Sequence, residues 1–236
     1  MSNDPLKIQI LIPTCNRPQQ LASLRDSINR KAALFEHEQW TSIFEDTEAA
    51  SCEEHGINYS YYMTGRRYGK ENFWQFITFM FSKLIDADYY FFIADDMELC
   101  DSFFERAIST YDNIQDDKKI CLSLYMPKGR EDKPNWTNIV PTKVKFEGTE
   151  VLRTQWNDLC FVAKKDFFEA LEYKINPISY KRWQKDPLRS SGVGEQISHR
   201  LHKAGYYMYH TIESLVTHGD HDSVMNPIER KLNPLI

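Results

Sequence analysis

Asp95 and Asp96 stand side by side directly after the apolar run Tyr89–Ala94, and Glu98 follows two residues on. Adjacent carboxylates repel, by roughly 4 kcal/mol at ~4 Å and an effective dielectric of ~20. Water relieves that cost, and so does a bound cation. A hard divalent ion with oxygen ligands, Mg2+ or Mn2+, would bridge such a carboxylate to substrate phosphates. The plain alternative is a solvated acidic turn ahead of the helix at Phe103. His218-Gly-Asp-His-Asp222 sets two histidines three residues apart in a polar tail. As ligands they would favour Mn2+, since neutral imidazole suits transition metals; otherwise they are surface residues. Arg66, Arg67 and Lys70 form a basic cluster that would neutralise a phosphate, helped by free amides at the next helix, or would simply be solvated. Glu195 is a general base for an attacking hydroxyl, or an ordinary first-turn acid favoured by the helix dipole. Asp158, beside Trp156 and Asn157, is the other carboxylate that could face an acceptor.

These residues need a frame. Lys7–Ile12 is a β-branched run ended by Pro13, which predicts a buried strand. Leu21, Leu24, Ile28 and Ala32 recur at three- and four-residue steps, which predicts an amphipathic helix over Gln19–Leu34. Strands follow at Thr41–Phe44, Asn58–Tyr62 and Tyr89–Ala94, with a helix over Glu71–Leu84 between the last two. Strands alternating with helices imply a mostly parallel sheet with right-handed crossovers. In the second half, Phe103–Tyr111 reads as a helix, Ile120–Tyr125 and Leu159–Ala163 as strands, and Asp166–Leu171 as a helix start. Lys128–Val140 is a polar loop. Asn176–Gly194 is a long connection of the functional or mobile kind. Glu195–Ala204 is a helix, followed by short strands at Tyr206–His210 and Ser214–Val216. In an open α/β sheet, ligands sit outside the carboxyl ends of the strands. The segments there are Pro13–Arg17, Glu45-Asp46, Gly65–Lys70, Asp95–Glu98, Asn157-Asp158 and His218–Asp222. Mixed cations and carboxylates suit a diphosphate held by a divalent metal.

Composition bounds this reading. The 236 residues are 42% apolar, 27% charged and 14% aromatic, which excludes disorder, collagen and coiled coil as the main architecture. A net charge of −5 argues against a dedicated nucleic-acid coat. The longest apolar stretch, Phe73–Leu84, contains Gln75, Thr78 and Lys83 and is too short to span a bilayer. The start, MSNDPLKIQ, is not a signal-peptide pattern. Five cysteines without a C-x-x-C pair suggest free thiols and a reducing, cytoplasmic setting, and make zinc improbable. Walker A, G-x-G-x-x-G and G-x-S-x-G patterns are missing from the sequence, so P-loop kinases, the usual dinucleotide oxidoreductases and α/β-hydrolases drop out.

Three segments carry a family resemblance: Lys7–Pro18 (KIQILIPTCNRP), Tyr89–Glu98 (YYFFIADDME) and Gly194–Tyr206 (GEQISHRLHKAGY), followed by His218. In this order they resemble nucleotide-sugar glycosyltransferases of the GT-A fold, especially the family-2-type group. Those open with a hydrophobic strand ending Pro-Thr-x-Asn-Arg, carry an Asp-x-Asp strand end, and have a late helix of the pattern Glu-Asp…Arg-Leu-x-x-x-Gly-Tyr. Ala94 stands where the first acid of Asp-x-Asp is usual, and Gln196 replaces the usual base. The resemblance covers roughly 1–100 and 190–224. It implies one GT-A-like α/β domain with a nucleotide-sugar-binding half (1–100), an irregular acceptor half (101–224) and a tail (225–236). Pro13, Thr14 and Arg17 would line the nucleotide, Asp46 would contact the base and Asp95 would lie near the ribose. Asp96 and His218 would bind Mn2+ or Mg2+. Arg66 or Lys70 would steady the leaving diphosphate, and Glu195, with Asp158 behind it, would be the base.

The reaction implied is hexosyl or pentosyl transfer from a nucleoside-diphosphate sugar, a UDP-sugar first, to an acceptor hydroxyl. A soluble or peripheral glycan is one acceptor. A hydroxymethylated base in viral DNA is another, small phage-type enzymes of similar fold being known for it. Here it rests on Lys181, Arg182, Lys185 and Arg189 around Trp183, and on Lys143 and Lys145 near Trp136. Two other classes stand beside transfer. A sugar-phosphate nucleotidyltransferase would usually show a Gly-rich loop where this chain has TCNRP. A nucleotide-sugar-binding module without catalysis would fit Ala94 and Gln196.

Overall fold

The structure, a computed structural model, describes residues 5–51, 59–126, 141–154, 160–184 and 186–219. The first half runs β1 (Lys7–Thr14), α1 (Pro18–Ala32), β2 (Glu38–Glu45), β3 (Tyr59–Met63), α2 (Phe73–Phe81), β4 (Tyr89–Ile93) and β5 (Met97–Leu99). The second half runs α3 (Phe103–Asn113), β6 (Lys119–Ser123), β7 (Thr142–Phe146), β8 (Thr149–Thr154), β9 (Cys160–Ala163), α4 (Lys165–Ala170), α5 (Lys181–Gln184), α6 (Val193–Lys203), β10 (Tyr207–Thr211) and β11 (Val216–His218).

A nine-stranded sheet in the order β3-β2-β1-β4-β9-β6-β10-β8-β7 forms the centre. β3, β2, β1 and β4 are mutually parallel, and β10 runs parallel to β6. Only β9 and β8 oppose the common direction, as the antiparallel pairings of β4 and β6 with β9, and of β10 and β7 with β8, require. The sheet is therefore mostly parallel, as the strand–helix alternation predicts. Side chains along β1 and β4 alternate between two cores, the period-two signature of strands covered on both faces. Ile8, Ile10, Ile12, Tyr89, Phe91 and Ile93 pack with Leu21, Leu24 and Ile28 of α1 and Phe103, Phe104 and Ala107 of α3. Leu11, Tyr90 and Phe92 face the opposite way, against Phe76 and Met80 of α2, Phe167 and Phe168 of α4 and Ile197 and Leu201 of α6.

Several elements depart from the pattern reading. No strand is predicted over 141–154, although Lys143 and Lys145 alternate with Val144 and Phe146, and β7 and β8 form a hairpin there. Its two loop residues, Glu147 and Gly148, both have positive φ (39° and 88°), the geometry that matches strand twist in a two-residue turn. The late strand expected at Ser214–Val216 forms as Val216–His218 and pairs antiparallel with β5, three residues that the polar Asp95–Glu98 stretch disguised. The expected Lys128–Val140 loop lies outside the described residues, and so does Asn157-Asp158. No helix among the described residues is long and apolar enough to cross a membrane.

Candidate functional site

Parallel register brings the first residues of the site together. β1 pairs with β4 as Leu11↔Phe92, so three residues further along Thr14 comes alongside Asp95. The Thr14 hydroxyl donates to Asp95 Oδ2 at 2.7 Å. On the other side of β1, Thr14 pairs with Glu45, and the Asp46 amide donates to the Thr14 carbonyl at 2.9 Å. Pro13, Thr14, Asp46 and Asp95 thus share the carboxyl edge of three adjacent strands. Pro13 sits in β1 itself rather than ending it.

Beyond β4 the chain turns through Asp95-Asp96, with the Met97 amide donating to the Ala94 carbonyl at 3.3 Å. One guanidinium nitrogen of Arg17, just ahead of α1, lies 2.9 Å from Asp95 Oδ1 and 2.9 Å from Asp96 Oδ2. All three side chains are largely shielded, at 12%, 6% and 8% exposure. Burial pushes the Asp95 carboxyl above the ordinary aspartate value and the charge of Asp96 adds to this, against the Thr14 hydrogen bond and Arg17, which pull it down. The β5–β11 pairing, Met97↔His218, then delivers the imidazole: His218 Nε2 is 3.5 Å from Asp96 Oδ2, and the Gly219 amide donates to the Asp96 carbonyl at 2.8 Å.

Asp96 and His218 therefore present one carboxylate oxygen and one imidazole nitrogen close enough for cis positions on a single ion. Among the described residues no three His, Cys, Asp or Glu side chains converge into a metal cage. That donor set fits a hard to borderline ion that completes its shell with water and phosphate oxygens, Mn2+ more readily than Mg2+.

The neighbouring loop is organised by Asp46. Its two carboxylate oxygens accept the amides of Tyr68 (2.6 Å) and Gly69 (3.0 Å), so the predicted base contact is at the same time the anchor of the Gly65–Lys70 loop. Glu45, expected in a loop with Asp46, is the last residue of β2 and fully buried. It accepts the amides of Asn16 and Ser51 and the hydroxyls of Ser51 and Tyr61. Burial alone would raise its pKa, but these hydrogen bonds outweigh it and hold the carboxyl below the ordinary glutamate value. Arg66 packs its guanidinium 4.4 Å from the Tyr68 ring centroid and bonds Gln75 Oε1 at 3.0 Å. Lys70 donates to the Pro187 carbonyl, tying this loop to the long 176–192 connection.

That connection holds Glu195. Arg182 of α5 meets Glu195 Oε2 at 2.7 Å, and Arg189 approaches the same oxygen at 3.9 Å. Arg182 also donates to the Ser190 carbonyl at 2.9 Å. Trp183, expected to offer a face to an exposed base, is buried at 6% exposure, with its indole N–H donating to the Arg189 carbonyl at 3.1 Å. Both Arg182 and Trp183 are consumed in holding the loop, which corrects their reading as a nucleic-acid patch. Tyr180, at 64% exposure, is the aromatic that faces outward here. Asp158, Lys185 and Trp136 lie outside the described residues. The structure thus gathers Thr14, Arg17, Asp95, Asp96 and His218 into one cluster with Pro13 and Asp46 at its side. Arg66 and Lys70 stand on the 65–70 loop and Glu195 in the first turn of α6, each with partners of its own.

No protein-family model matches the chain, and no curated protein matches it in sequence. Solved structures do match in shape. A structure described as GalNAc-T7 with UDP, GalNAc and Mn2+ superposes with a TM-score of 0.60 at 15% identity, over 92% of this chain and 44% of that one. A mannosyltransferase, PcManGT from Pyrobaculum calidifontis, in complex with GDP-Man and Mn2+, superposes with a TM-score of 0.56 at 11% identity, over 95% of this chain and 59% of that one. The chain has the GT-A glycosyltransferase fold. It spans about half the length of these two matched structures. Within the GT-A frame, the acid pair lies at the carboxyl edge of β4 and the late histidine reaches it through β11.

Proposed function

We propose that this chain is a metal-dependent glycosyltransferase that moves a sugar from a nucleoside-diphosphate sugar, a UDP-sugar, to an acceptor hydroxyl on a glycan. The observation that carries the reading is the cluster of Thr14, Arg17, Asp95, Asp96 and His218, drawn from three separate segments to one sheet edge. The UDP, GalNAc and Mn2+ named for one similar structure, and the GDP-Man and Mn2+ named for the other, support the same chemistry. Residues 1–100 are the donor half and 101–224 the acceptor half.

Asp96 and His218 are the residues that would hold Mn2+ or Mg2+, which when bound neutralises charge developing on the leaving diphosphate. Pro13, Thr14 and Asp95 line the nucleotide side, with Asp95 toward the ribose and Asp46 toward the base. Arg17 supplies a guanidinium to phosphate oxygens, and Arg66 and Lys70 border them from the loop that Asp46 anchors. Glu195 takes the acceptor proton, with Asp158 as the other carboxylate for that role. The glycan is favoured over a DNA base because Trp183 and Arg182 are already committed to the protein's own loop. A cytoplasmic setting is the reading that five cysteines without a C-x-x-C pair favour.

The test is thermal stabilisation by UDP, GDP and their sugars, each with and without Mn2+. A ligand that binds only the native state, at a hundred times its dissociation constant, adds about 2.7 kcal/mol and a measurable melting shift. The expected result is a shift that needs both Mn2+ and a uracil nucleotide, followed by sugar transfer from the matching donor. Absence of any shift on well-folded protein would overturn the proposal.

A further inference from the structure

We infer that Arg17 makes metal binding at Asp96 conditional on the nucleoside diphosphate, so that the ion is taken up with the donor and not before it. The inference rests on the proposed donor site and concerns the order in which that site fills.

Its basis is the sharing of one oxygen. Asp96 Oδ2 is approached by the Arg17 guanidinium at 2.9 Å and by His218 Nε2 at 3.5 Å. The same Arg17 nitrogen also holds Asp95 Oδ1 at 2.9 Å. One cation between two largely shielded carboxylates leaves these three side chains with one net negative charge among them. A dication entering beside that guanidinium meets repulsion little screened by solvent. Among the described residues the two donors Asp96 and His218 also fall well short of the six that Mg2+ or Mn2+ takes. A diphosphate removes both obstacles together. It brings oxygen donors to the ion, and it offers Arg17 planar, bidentate hydrogen bonding that competes with its bonds to the two aspartates. Thr14 is suited to the exchange, because its hydroxyl keeps Asp95 Oδ2 in place independently of Arg17.

The experiment is Mn2+ binding followed by electron paramagnetic resonance on the full chain, alone and with UDP, with GDP in a parallel series. Wild-type protein is expected to bind Mn2+ weakly alone and much more tightly with the diphosphate. Arg17→Gln is expected to bind Mn2+ alone at least about tenfold more tightly than wild type, with a correspondingly smaller gain from UDP. Circular dichroism checks the fold, and Arg17→Met is a second neutral variant. Arg17→Lys, which keeps a positive charge beside the pair, should stay close to wild type. Equal Mn2+ affinity of wild type and the neutral variants without nucleotide would overturn the inference and leave the metal site intact. An equal gain in Arg17→Lys would overturn it too, since charge would not be the cause. Failure of wild type to bind Mn2+ with either diphosphate would instead overturn the underlying metal-site reading.

Discussion

Arg182 and Glu195, thirteen positions apart, form an ion pair of 2.7 Å in which both side chains are mostly shielded from solvent. The pair closes the loop that runs through Gly192 and sets the orientation of the carboxylate proposed as base. Arg182→Met leaves Glu195 and the Ser190 carbonyl without that donor, and should lower unfolding stability by about 1–3 kcal/mol. Urea denaturation measures it.

Glu195→Gln keeps the size of the side chain and its bond to Arg182 but removes the proton acceptor. Sugar transfer should fall by about a hundredfold or more while UDP binding with Mn2+ stays unchanged. Undiminished transfer would move the base role to Asp158.

Gly192 has φ +80°, and a Cβ there would lie 2.8 Å from the Arg182 guanidinium carbon. That guanidinium is tied to Ser190 and Glu195, so it cannot yield without losing those bonds. Gly192→Ala should therefore cost about 2–3 kcal/mol. Gly148→Ala, with a similar φ of +88° but open space around it, should cost about 1 kcal/mol. Equal losses in parallel urea titrations would refute the steric part of the argument.

Asp96→Asn removes the carboxylate that Arg17 and His218 share. Mn2+ affinity in the presence of UDP should fall by about a hundredfold, and metal-dependent transfer should disappear. Metal titration followed by turnover assays checks both, and undiminished transfer would sink the assignment.

The Glu45 carboxyl is held below its ordinary pKa, so its charged form is favoured in the folded state. Its contribution is complete above the ordinary glutamate range and is lost as pH falls through the depressed folded value. Wild-type stability should decline from about pH 4.5 downward, and Glu45→Gln, less stable at neutral pH, should show a shallower decline. Urea midpoints across that range measure the difference. Asp95, raised rather than lowered, acts with the opposite sign: its burden on the charged state is relieved as pH falls, which partly offsets the Glu45 slope.

Local pattern was enough to read much of this protein. The β-branched run KIQILI, the three-four spacing of Leu21, Leu24 and Ile28, and the apolar run ending at Asp95-Asp96 each follow from burying one face or both faces of a single element. They predict β1, α1 and β4 and the acids at the sheet edge with no knowledge of partners. Tertiary structure decided the rest. Whether His218 meets Asp96 depends on a three-residue pairing between β5 and β11, chain segments more than a hundred positions apart and too short to carry a period. Glu45 and Asp46 are neighbours of the same charge type, yet one is sealed among hydroxyls and amides while the other caps a loop. Which does which depends on where β2 ends beside β1. Trp183 and Arg182 look like a nucleic-acid patch in one dimension and become loop fasteners in three, because Ser190 and Glu195 fold back onto them. Periodicity records the burial of an element's own face and is written in consecutive residues. A site assembled from strand register and loop closure is written in distances between residues far apart in the chain, and those exist only once the sheet has formed.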